Sequence, residues 1–199
     1  MKFRPIAACM IIATTCASPL ALAAPGGQAL VTKFKSASAV VNLQAEDGAF
    51  QYSMTAQNFD DMDGVQQGIL SIGKSGFDPI TGQFFIGGVT CQGPSFANTV
   101  TVNKSTGLSS VNAMLDPAAP GCTGFNATAQ TIAITGVPTG GFSRSDTGNS
   151  TIRSGSVVEK TSFQSDSFDE AFSGSIGFFT GAFTGNAEAA KVTSRTRTK

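Results

Sequence analysis

The groups with which this chain would do acid or base chemistry are carboxylates: Glu46, Asp47, Asp60, Asp61, Asp63, Asp166, Asp169 and Glu170. Two of them facing each other across a cleft would suit glycan hydrolysis, one protonating the leaving oxygen and the other acting as base or nucleophile. Most lie in turn-like sequence, however, where a short acidic side chain ordinarily meets water or closes the turn. A sugar site would also want flat aromatic surfaces, and the chain has one tyrosine, Tyr52, and no tryptophan. It has no histidine either. That excludes Ser-His-Asp and Cys-His machinery and removes the commonest zinc and haem ligand. No glycine-rich loop opens a helix, so phosphate and dinucleotide binding have no support.

The densest set of oxygen ligands is Asp60-Asp61-Met62-Asp63-Gly64. Calcium takes six to eight oxygens, and Asp60, Asp61 and Asp63 would supply three of them. No glutamate follows at the place an EF-hand requires, so the competing expectation is a charged turn between strands. Calcium is the one cofactor the sequence suggests; otherwise none is expected.

The elements that would position these groups are strands. Met1 to Ala23 reads as an export signal: Lys2 and Arg4 give a positive start, Ile6 to Leu22 is mostly apolar, and Ala21-Leu22-Ala23 offers a cleavage site. Thr14, Thr15, Ser18 and Pro19 interrupt that run, so a membrane anchor is the weaker reading, as is lipid modification at Cys16. Residues 24–199 would then form one exported domain, periplasmic or extracellular, with no transmembrane span. Loss of Lys2 and Arg4 leaves 11 basic against 13 acidic residues, a net charge of −2. Nothing there draws nucleic acid to the whole surface. In an oxidising compartment the two remaining cysteines, Cys91 and Cys122, are expected to pair rather than persist as thiols, stapling the centre of a sheet.

Thr-Gly and Asp-Gly dipeptides recur between short runs of alternating apolar residues, and glycine at such reversals tolerates positive φ. Phe50, Tyr52, Met54 and Ala56 alternate most clearly, and Asp47-Gly48 makes the preceding run their hairpin partner. Val65–Lys74, the run into Cys91, Thr99–Asn103, Ser109–Leu115 and Ala127–Ile134 follow. Thr139–Ser150 reads as a polar loop, and Thr151–Gln164, Ser167–Phe179 and Ala187–Thr198 as three further strands. The expected fold is all-β: a single-domain β-sandwich of about 8–10 short antiparallel strands with one disulfide. A membrane barrel is the rival, but it would want Trp and Tyr girdles that this chain lacks.

Phe34-Lys35-Ser36-Ala37-Ser38-Ala39, the strand ending at Cys91, Gly140-Gly141-Phe142-Ser143-Arg144-Ser145 and Ala171-Phe172-Ser173-Gly174-Ser175 occur in an order that resembles a loose family of small exported bacterial β-rich proteins without assigned activity. Other members carry Trp-Thr-Gly-Thr-Gly where this chain has Val137-Pro138-Thr139-Gly140-Gly141. The resemblance implies export and β structure, and no activity.

Two surfaces remain as contact candidates. Lys191, Thr193, Arg195, Arg197 and Lys199 would share one face of a terminal strand; the basic ridge Lys191, Arg195, Arg197 and Lys199 would either protect a sheet edge or bind an anionic surface polymer or envelope lipid. Phe178, Phe179 and Phe183 lie in a stretch without charge between Glu170 and Glu188, so one or more could form an apolar contact patch. These features favour an exported, non-catalytic surface or matrix protein that adheres to a surface polymer or to itself. The alternative is an exported carbohydrate-binding module or carboxylate-based glycan hydrolase, with calcium as its cofactor.

Overall fold

The computed structural model describes residues 30–61, 63–140, 144–177 and 179–198, and the side chains of these except Asp47 and Phe179. The expected export signal lies outside the described residues, as do Phe178 and Lys199.

The chain begins with a meander, β1 (Leu30–Asp47), β2 (Phe50–Asp60), β3 (Gln66–Phe77) and β4 (Phe84–Gly93). A 3-10 turn, Pro94–Phe96, leads to β5 (Val100–Val102), β6 (Ser109–Leu115), β7 (Cys122–Phe125), β8 (Gln130–Pro138), β9 (Arg144–Ser154), β10 (Val157–Ile176) and β11 (Phe179–Thr198). All pair antiparallel in one open sheet of order β5-β6-β8-β10-β11-β1-β2-β3-β4-β7. β9 lies beside β8 along the same side of β10, holding Val157–Ser167 while β8 holds Glu170–Ile176.

The sheet becomes two layers by curling. Asn58 on β2 donates to the Val100 carbonyl on β5 across 2.7 Å, and Gly68 on β3 lies so close to the 3-10 turn that a Cβ there would overlap the Phe96 carbonyl. The core fills the space between: Val41, Leu43, Met54, Leu70, Val89 and Phe96 from one limb and Val100, Val111, Leu115, Ile132, Ile134, Phe172, Ile176 and Phe183 from the other or the bend. Each large apolar side chain fully removed from water contributes about 1.5–3 kcal/mol. The period-two reading holds wherever one face is buried: Tyr52, Met54 and Ala56 point inward from β2, and Ile132 and Ile134 from β8.

The all-β antiparallel class and the Cys91–Cys122 disulfide agree with the sequence. Three details differ. The disulfide joins directly opposed residues of β4 and β7 at one end of the sheet order, not at its centre. β1, β10 and β11 are not short but 18, 20 and 20 residues long. Residues 144–150, read as loop, belong to β9, and the two runs either side of Ser165 are one strand, β10. The cause is physical. Beyond Ala37 toward the tip of the sheet β2 no longer pairs with β1, and β1, β9, β10 and β11 continue as a four-stranded slab largely exposed on both faces. Without a buried face, a strand needs no apolar alternation.

Candidate functional site: a basic sheet face

Residues directly opposite one another across a ladder point to the same side, and the side changes at each step along a strand. The row Val41, Ala187 and Phe168 therefore fixes the core-facing side. Two residues further toward the tip come Ala39, Ala189, Asp166 and Ser145; then Ala37, Lys191, Gln164 and Thr147; then Lys35, Thr193, Ser162 and Asn149. The next row is Lys33, Arg195, Lys160 and Thr151, and the last Val31, Arg197, Val158 and Arg153. The face that is core further in thus becomes, where the covering limb ends, a surface carrying Lys33, Lys35, Arg153, Lys160, Lys191, Arg195 and Arg197. All seven are exposed.

Carboxylates are kept off it. Glu159, Glu188, Asp146 and Asp169 belong to the opposite side by the same register. Arg144, also on that side, pairs with Asp146 at 2.6 Å, the one ion pair among the described residues. Ser194 donates to Glu159 there, and Ser165 to Glu188. At the inner border of the basic side stand Asp166, accepting from the Gln164 amide at 3.1 Å, and, by the β1–β2 register, Asp60. Next to that border a hollow of about 300 Å³ brings Lys104, from the β5–β6 loop, near Ala39, Ala189 and Ala190.

Strands lie about 4.8 Å apart, and same-side neighbours along a strand about 6.8 Å. Four rows over four strands therefore spread the cations over an area of roughly 20 by 15 Å. Neighbouring like charges repel by about 1 kcal/mol at 4 Å in water, and cross-strand like pairs such as Lys33 and Arg195 weaken the sheet. Val31, Val158 and the small Ala37 are the apolar side chains of the charged rows, so the face offers electrostatic contact and little to insert into a bilayer.

The sequence had placed a basic ridge on β11, and Lys191, Arg195 and Arg197 do share one side. Edge protection is not their role. From Thr184 to Thr198 β11 runs between β10 and β1, so its basic stretch has no edge to protect. The other cations of the face come from other strands, Lys33 and Lys35 from β1, Arg153 from β9 and Lys160 from β10; the register unites them.

The remaining candidates are placed elsewhere. The structure does not gather Asp60, Asp61 and Asp63 into a metal site, and no group of three or more His, Cys, Asp or Glu side chains suited to one occurs among the described residues. Asp60 accepts from the Ala37 amide at 3.3 Å where β2 leaves β1. The Asp61 carboxylate accepts from the amides of Val65 at 2.8 Å and Asp63 at 3.0 Å and from the Gln67 side chain at 3.1 Å. Those bonds, that of Val65 foremost, hold the Asp61 carboxyl below its ordinary range. Phe183 is core, 1% exposed, and belongs to no exposed patch.

One carboxyl escaped the sequence reading as a special case. Glu170 is 2% exposed, with one oxygen accepting from the Ser109 hydroxyl and the other without a partner. Gly136 makes room for it, since a Cβ there would overlap the carboxylate. Burial pushes the Glu170 carboxyl above its usual range, and Ser109 only partly offsets that.

Comparison of the chain with protein-family models, with curated proteins and with solved structures finds no match.

Proposed function

We propose that this is an exported, non-catalytic surface or matrix protein, and that it adheres to an anionic surface polymer through the basic side of the β1, β9, β10 and β11 slab. The observation that carries the reading is the sorting of charge: seven cations on one side, with four carboxylates of the same strands on the other and Asp166 only at the inner border of the basic side. Such a side repels itself when bare and is relieved by a chain of negative charges, whose affinity then falls as salt rises. A polymer is favoured over a lipid surface because the charged rows carry almost no apolar side chain to enter a bilayer. The Cys91–Cys122 bond is compatible with export into an oxidising compartment. Among the described residues no helix is long and apolar enough to cross a membrane.

The test is binding of the mature protein to polygalacturonate and, separately, to vesicles rich in anionic phospholipid, at several salt concentrations. Exchange of Lys33, Lys160 and Arg195 for glutamine removes one row of charge from an exposed surface. At about 0.2–1 kcal/mol per exposed contact, the triple variant should bind the polymer several-fold to a hundredfold more weakly with its stability kept. Unchanged affinity in that variant, or affinity indifferent to salt, would refute the reading. Binding to vesicles alone would replace the polymer with lipid.

A further inference from the structure

The limb formed by β2, β3, β4 and β7 turns Tyr52, Met54, Leu70, Ile72, Val89 and Cys91 into the core, so the residues between them point outward. At the end away from the slab tip, those outward rows carry large apolar side chains. Phe77 and Phe84 oppose each other across the β3–β4 ladder, their rings edge to face at 5.7 Å. Ile86 follows two residues along β4, and Phe125 of β7 opposes Gly88, the next outward residue. Phe77, Phe84, Ile86 and Phe125 are 60, 58, 53 and 63% exposed. At about 200 Å² for a whole aromatic side chain, the four leave roughly 450 Å² of apolar surface in water, a patch of the size that marks contact sites.

The positions among and beyond them are Ser75, Gly73 and Gly88, then Ser71, Thr90 and Thr123. None of these is charged, and the Ser71 and Thr90 hydroxyls share a hydrogen bond of 2.9 Å. Lys74 belongs to the inner side by register. Carboxylates stand at the border. Glu46 lies in the row of Ile86 but three strands away, and Asp78 opens the β3–β4 loop, where its carboxylate accepts from the amides of Ile80 and Thr81.

We propose that this face is the contact through which two copies of the chain pair about a two-fold axis. Such an axis sets one patch against its own image, and these neutral rows can be so apposed without the repulsion that the basic side of the slab would meet. Two patches supply about 900 Å² of apolar side chain, and the interleaved serine, glycine and threonine positions carry the total past the about 1,000 Å² that a specific contact needs. Gly73 and Gly88 oppose each other and leave a low place between Ile86 and Phe125 for a ring of the second copy. A bilayer is the rival cover. Carboxylates rather than cations at the border oppose an anionic lipid surface, which favours the second copy. Leu30 and Thr198 pair at the slab tip, so the segments that precede and follow the described domain leave it at the far end from this face. The contact goes beyond the reading of the basic side and uses none of its residues; a pair of copies would offer a polymer two basic sides at once.

The test is sedimentation equilibrium of the purified protein over a wide range of concentration, at low and high salt. Three chains are compared: the unaltered one, Phe84→Thr with Phe125→Thr, and Ser75→Arg. The unaltered chain is expected to pass from monomer to dimer and to keep the dimer at high salt, as an apolar contact does. Threonine suits a strand, and the replaced rings are exposed in the monomer, so the double variant should unfold as before. Its dimer should be roughly a hundredfold or more weaker, as two aromatic anchors at about tenfold each imply. Ser75→Arg removes no apolar side chain but puts a charge in the row of Ile86, and should abolish pairing. The variant lacking Lys33, Lys160 and Arg195 should pair as the unaltered chain does. A chain monomeric at every concentration, a dimer that neither Ser75→Arg nor the double variant weakens, assembly that does not stop at two, or pairing lost in the variant of the basic side would each overturn the proposal. A monomer that binds phospholipid vesicles and loses them in the double variant would overturn it in favour of lipid.

Discussion

Replacement of Glu170 by glutamine should stabilise the protein, and more so the higher the pH. In the folded state the carboxyl is 2% exposed, with one oxygen unpartnered; in the unfolded chain it is hydrated. Its folded pKa is raised by burial, so between the unfolded and folded values the folded state holds the proton more tightly. Stability is then greatest below the unfolded value, near pH 4.3, and declines as pH rises through the folded one. An unpaired buried polar atom costs about 1–3 kcal/mol, more when charged, and each unit of pKa displacement adds about 1.4 kcal/mol. Glutamine keeps the shape and the Ser109 contact but carries no charge. At pH 8 the variant is therefore expected to gain about 1–3 kcal/mol, or about 2–12 °C in Tm for a domain of this size. At pH 4, where Glu170 is mostly protonated in both states, the two proteins should unfold alike. Urea titrations at pH 4, 6 and 8 measure this directly. A Glu170→Gln effect of the same size at every pH, or a loss of stability that grows with pH, would show that the carboxylate is compensated in the fold and would refute the reasoning.

Other expectations concern the frame. Exchange of both Cys91 and Cys122 for alanine should lower stability by about 3–4 kcal/mol, because a closed segment of 31 residues' separation is freed in the unfolded chain; the unreduced protein should show no alkylatable thiol at either position. Phe183→Ala should cost about 3–5 kcal/mol in denaturant titrations, as expected of a side chain 1% exposed, whereas loss of association at unchanged stability would mark it as a contact residue after all. Asp61 contributes stability that is present above its unfolded pKa and lost as pH falls through the lower folded one. Asp61→Asn should therefore flatten the fall of Tm below about pH 4, and an unaltered acid limb would remove the turn bonds from that account.

The sequence displayed those parts of the fold in which one side of a strand is buried. Tyr52, Met54 and Ala56 betray β2, and Ile132 and Ile134 betray β8, because water penalises a misplaced apolar residue at every second position. The slab carries no such penalty, so β9 up to Ser150 looked like loop and β10 looked broken at the polar Ser165-Asp166-Ser167. The candidate site was legible in one strand only. Arg195 and Arg197 announce a shared side by their spacing, but Lys33 joins them through a pairing that spans most of the chain, and Lys160 through one across the long β10–β11 hairpin. Nothing in spacing reveals such a pairing. Glu170 was hidden for the opposite reason: its neighbours Ser109 and Gly136 are unremarkable until the β6–β8 and β8–β10 ladders set them beside it.

The register also bears on how the molecule would carry load. Leu30 and Thr198 are directly paired at the tip of the slab, so tension applied through the segments on either side of the described domain would enter at one point. It would open the β1–β11 ladder as a zipper, one hydrogen-bonded pair at a time, rather than shear it all at once. Yielding would begin at the tip, in the rows that hold Lys33, Arg195 and Arg197, and release any bound polymer from there. The segment between Cys91 and Cys122 would not pay out even after the sheet had come apart. At about 3.5 Å per residue, that withholds roughly 110 Å of slack.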